Sequence, residues 1–229
     1  PGDVEFSKKV YDINDTELVM PADISSIDMS QWRDSADYDI GDAVPFKLTA
    51  KLSNDVTTYR NYHLTFTDQM ENSLSYNRDA KIVVTGKDGK VIDASNYKVE
   101  TVAEGTTSFA YKISFAGVDG KTIADENLNG ATAEVFFTAN LTASAKFGKE
   151  GNVNAAKLTF SNNPDSEDDS DEGEKPWDYV IAFTYKVDVN KVNKSAEALT
   201  GAQFKLEKKL ADNTYKEIAL TNTNNVFTA

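Results

Sequence analysis

The 229-residue chain contains no cysteine. That excludes a disulfide framework, a thiolate metal site and a cysteine nucleophile. Histidine occurs once, at His63, too few for a histidine metal cluster. Strand alternation sets His63 opposite Leu64 and Phe66, facing solvent. No glycine-rich phosphate loop or nucleophile elbow is present, so nothing calls for a cofactor. Basic residues are scarce, 24 Lys and Arg against 37 Asp and Glu, for a net charge of −13. That balance argues against nucleic acid and against docking on anionic lipid. No stretch approaches the length of a membrane span. The acidic run 164–176 reads as a solvated loop, since its carboxylate spacing does not match a calcium-binding EF-hand. No signal peptide opens the chain, which reads as a piece of a longer mature protein.

What is present is strand pattern. Val44, Phe46, Leu48, Ala50 and Leu52 alternate with Lys47, Thr49 and Lys51. Tyr62, Leu64 and Phe66 repeat the theme, as do Tyr111, Ile113 and Phe115, and then Val135 and Phe137. Turn signals at Gly86–Gly89, Val118–Gly120 and Asn129–Gly130 separate these runs. Many short strands between turn residues predict an all-β sandwich. From Trp177 to Val189 every odd position is apolar or aromatic. So long a run predicts one strand serving two domains, 1–176 and 177–229.

Three polar residues fall where apolar ones are expected. Alternation sets Lys8 with Phe6 and Val10, Asp68 with Leu64 and Phe66, and Asn162 with Leu158 and Phe160. Lys9 and Asn163 stand beside two of them and leave each choice open. Asp37, Asp39 and Asp42 also lie near strands, so the acid is open too. Burial pushes a lysine toward the neutral amine and a carboxylic acid toward its protonated form. A neutral amine is a nucleophile, and a protonated acid polarises a carboxamide. The trio therefore suits a single-turnover Lys8–Asn162 amide bond with loss of ammonia, assisted by Asp68. Lys191 extends the odd-numbered apolar face and gives a fourth core-facing polar residue.

These stretches resemble a known family. Residues 8–15, 36–46, 59–68 and 74–77, and the ending Leu158-Thr-Phe-Ser-Asn-Asn-Pro164, are similar to the middle domain of Gram-positive backbone pilins. Residues 187–192 and Leu199-Thr-Gly-Ala-Gln-Phe-Lys-Leu206 resemble the opening of a collagen-adhesin B-type domain. The resemblance implies tandem immunoglobulin-like sandwiches, A-like then B-like, in a structural subunit of a cell-wall pilus. It implies Lys8 as amine, Asn162 as acceptor, Asp68 as acid, and Lys191 as the amine of a second bond whose partners lie further along. It also implies linkage to other pilin subunits by sortase, although no pilin-motif lysine or sorting signal is seen. The alternative is an adhesin module binding host matrix protein or glycan, with Trp32 and Tyr59 as candidate contacts if exposed.

Overall fold

A computed structural model describes residues 3–12, 31–166, 171–210 and 212–229. Twelve strands among them build two facing sheets. They are β1 (Glu5–Tyr11), β2 (Trp32–Arg33), β3 (Ser35–Asp37), β4 (Ala43–Lys51), β5 (Asn61–Met70), β6 (Leu74–Tyr76), β7 (Lys81–Thr85), β8 (Lys98–Glu104), β9 (Ser108–Ala116), β10 (Thr132–Leu141), β11 (Asn152–Ser161) and β12 (Glu172–Phe183). The first sheet has the order β2-β1-β4-β10-β6, with β7 also paired to β10. The second runs β3-β12-β11-β5-β9-β8. All pairings are antiparallel except β3 with β12.

The period-two pattern explains the core. Phe46, Leu48 and Ala50 of β4, and Val135 and Phe137 of β10, face Leu64 and Phe66 of β5 and Ile113 and Phe115 of β9, and all are buried. This is the β-sandwich that the alternation predicts, immunoglobulin-like as the family resemblance implies.

The run 177–189 behaves differently from its pattern. It forms two strands rather than one: β12 ends at Phe183 and β13 spans Asp188–Asn190. Strand β12 also begins earlier, at Glu172, so residues 172–175 of the expected acidic loop are paired with β11. Residues 167–170 of that loop lie outside the described residues. The inward parity reverses as well. Ala156 pairs with Asp178 but Leu158 pairs with Lys175, so β12 carries one extra residue at Pro176–Trp177. Proline cannot donate to a ladder, and a bulge is where a strand tolerates it. Before the bulge, Gly173 faces Phe160; a Cβ there would sit 2.6 Å from that ring. After it, Val180 and Ala182 are buried, while Trp177 and Tyr179 are exposed.

Beyond Thr184 lie β13, β14 (Leu206–Lys209), β15 (Tyr215–Ile218), β16 (Thr221–Thr223) and β17 (Val226–Thr228). They form a β13-β17-β16 sheet and a β14-β15 pair. None of the described residues there is buried. Lys191 follows the end of β13 and is exposed, contrary to its expected place on an inner face, because the strand stops one residue short of it.

One glycine decides how β11 begins. Gly151 has φ +63°, and an added Cβ would lie 2.2 Å from Ile181 Cγ2. Gly151→Ala is expected to lower stability by about 2 kcal/mol or more. Thermal denaturation checks this, and an unchanged midpoint would show that the turn relaxes freely.

Candidate functional site

Strand β1 points Lys8 inward between Phe6 and Val10, and Lys8 is fully buried. Lys9 faces outward and pairs with Asp34, so the inward lysine is Lys8. Asp68 on β5 is equally buried. Lys8 Nζ lies 2.6 Å from Asp68 Oδ2. The amine also sits 5.0 Å from the ring centroids of both Phe46 and Phe137. Asp37, Asp39 and Asp42 are exposed, which leaves Asp68 as the acid of this interior.

Asn162 is not part of it. Strand β11 ends at Ser161, and past a strand end parity no longer dictates direction. Asn162 is exposed, with its main-chain N–H bonded to Asp171 O. Asn163 bonds through its side chain to Asp171 Oδ2. The asparagines of matching parity inside the strand are Asn152 and Asn154, both fully buried. Asn152 is satisfied: its Oδ1 accepts from Lys146 N, and its Nδ2 donates to Ala182 O. Asn154 is not: neither Oδ1 nor Nδ2 has a partner of ordinary geometry.

Register puts Asn154 beside the pair. On β11, Ala156 is opposite Asp68 and Asn154 is opposite Met70, so Asn154 is the diagonal neighbour of Asp68 on the inner face. The amide lies close enough to bias the Asp68 carboxyl toward ionisation without forming a well-shaped hydrogen bond. The other Asp68 oxygen, Oδ1, is buried without a partner too. Sequence reasoning missed Asn154, although the alternation that selected Leu158 and Phe160 runs back through it.

Burial is the dominant influence on both ionisable groups. It lowers the Lys8 pKa, partly offset by Asp68 and then Asp178. It raises Asp68 to about 6, partly offset by Lys8. Both groups move toward their neutral forms. An amine shifted toward neutrality, a carboxyl shifted toward its protonated form and a carboxamide without a well-shaped hydrogen bond thus share one dry space. Asp68 can donate to the Asn154 carbonyl oxygen, Lys8 can attack its carbon, and the acid can return a proton as ammonia leaves.

The Asp68 shift has a sign that can be checked in a chain unable to react, Asn154→Ala. A carboxyl raised from 3.8 to about 6 on folding contributes stability that is fully present below the unfolded value. That contribution is lost as pH rises through the folded one. Urea midpoints of Asn154→Ala minus those of Asn154→Ala/Asp68→Asn should therefore fall between pH 4 and 7. A flat difference would mean that Asp68 titrates normally.

Other residues singled out in the sequence lie elsewhere. His63 is buried rather than solvent-facing, because the neighbouring strand end covers it. Its Nδ1 lies 2.8 Å from Ser161 Oγ and its Nε2 2.6 Å from Glu172 Oε1. The Ser161 oxygen also accepts the His63 main-chain N–H, so the chain of contacts clasps β5, β11 and β12 together. Trp32 packs with Tyr11 and Phe136, and Tyr59 with Tyr62; both are buried rather than available as ligand contacts.

Solved structures match this architecture. The T6 backbone pilin of serotype M6 Streptococcus pyogenes superposes with a TM-score of 0.58 at 21% identity, over 99% of this chain and 45% of that one. The major pilin GBS80 of Streptococcus agalactiae, a 35 kDa C-terminal fragment, gives 0.55 at 16%, over 86% and 61%. The chain has the backbone-pilin fold. BcpA, the major pilin subunit of Bacillus cereus, agrees at 0.53 and 15%, over 99% and 55%. The chain thus spans about half the length of these pilins. No model of a known protein family and no curated protein matches the sequence.

Proposed function

We propose that this chain is a stretch of pilus shaft, stabilised by a covalent bond between Lys8 Nζ and the Asn154 side-chain carbonyl carbon, with Asp68 as the acid. One observation carries the reading: a fully buried carboxamide without hydrogen-bond partners, beside a buried amine and acid in contact. An unsatisfied buried polar group costs about 1–3 kcal/mol, and a buried charge more. Bond formation removes the orphaned NH2 as ammonia and turns the buried amine into an amide N–H. The backbone-pilin fold makes a mechanical role the natural use of such a bond. In this reading the subunit works outside the cell, in a fibre built with other pilin subunits. The reading tests by intact mass: the native chain should be lighter than its sequence by one ammonia, about 17 Da. Full sequence mass would overturn it. Binding of host matrix or glycan has less support, since both aromatics suggested for it are buried.

A further inference from the structure

Asp178 stands out because it holds the lysine by its main chain. Lys8 N donates to Asp178 Oδ2 at 2.8 Å. On the side away from β4, β2 pairs with β1 at Val10 and Tyr11, past the level of Lys8. The Lys8 N–H therefore points off the open edge of the first sheet, and a carboxylate of the second sheet takes it up. Asp178 Oδ1 meanwhile accepts from Tyr179 N at 2.9 Å, which fixes the carboxylate plane.

Register explains the reach. Asp68, Ala156 and Asp178 stand in one row across β5, β11 and β12. Lys8 thus meets one end of the row with its backbone and the other with its amine, and the small Ala156 side chain lies between. The extra residue at Pro176–Trp177 turns Asp178 inward; without it, Asp178 would share the outward parity of Glu174.

We propose that Asp178 is the positioning residue of the cross-linking reaction, clamping β1 so that the Lys8 amine stays at Asp68 and beside Asn154. The inference rests on the cross-link reading above. A reacting atom displaced by about 1 Å can cost up to a hundredfold in rate. Asp178→Ala loses both acceptors, whereas Asp178→Asn keeps one oxygen for two N–H groups.

The test follows intact mass with time from the earliest purified sample, for the native, Asp178→Asn and Asp178→Ala chains. Melting curves of both substitutions in the unreactive Asn154→Ala background separate positioning from plain destabilisation. The native chain should be fully linked at the first time point. Asp178→Ala should give a folded, unlinked population that loses ammonia about tenfold to a hundredfold more slowly, with Asp178→Asn between the two. Native-speed linkage in either variant overturns the inference and leaves the bond itself standing. If the alanine chain fails to fold, the Asn-to-native comparison decides alone. A native chain of full sequence mass overturns the cross-link and this inference together.

Discussion

Asn154→Ala is expected to weigh what its sequence dictates, whereas the native chain should run about 17 Da light. Lys8→Ala should likewise show no loss, because it removes the nucleophile. Asn162→Ala should keep the loss, since Asn162 is exposed and outside the interior. The stability consequence is large. A cross-link closing a loop of this length contributes roughly 5 kcal/mol in the chain-entropy model. For a domain of this size, that converts to a melting point lower by about 10–20 °C. An unlinked Lys8→Ala chain keeps the two orphaned polar atoms of Asn154, which Asn154→Ala lacks, so of these two variants Asn154→Ala should lose less. Loss of ammonia persisting in Asn154→Ala would move the acceptor elsewhere.

Asp68→Ala is expected to fold and yet retain its ammonia. The fold survives because the surrounding phenylalanines and leucines stay packed. The bond fails because no other described acid lies against the Lys8 amine, and Asp178 is committed to two main-chain N–H groups. Removing one member of a buried pair usually costs about 3–5 kcal/mol. Here the amine can neutralise, which holds the cost toward the lower end. Together with the absent bond, Asp68→Ala should be the least stable single variant in this interior. Mass spectrometry beside chemical denaturation reads both effects. A linked Asp68→Ala protein would mean that the acid is dispensable.

Much of this was legible in the sequence, through one rule. Alternation placed Lys8 and Asp68 on inner faces, and both are there, in contact. The same rule failed at two kinds of place. It was carried one residue past a strand end to Asn162 and to Lys191, where the backbone no longer alternates. It also points to the wrong face of β12, where the bulge at Pro176–Trp177 turns the even positions that follow it inward. There the apolar residues on odd positions misled, because a strand with large apolar side chains on one face and small ones on the other gives two plausible readings. Val180 and Ala182 are the buried pair, and the larger Tyr179 is outside. Asn154 lies within reach of the rule, at the parity of Leu158 and Phe160, but alternation alone does not separate it from Asn152. Asp178 was not within reach, since its role depends on which edge of the opposite sheet is open.

Lys8 and Asn154, the two ends of the proposed bond, sit on β1 and β11, in opposite sheets and near opposite ends of the sandwich sequence. Tension entering through the first strand would cross at Lys8 directly into β11 and leave through β12. Residues 9 to 153 would hang from this route as a slack side-loop, unable to lengthen the fibre however hard it is stretched. Give under load would then fall to the β13–β17 segment beyond Thr184, where none of the described residues is buried.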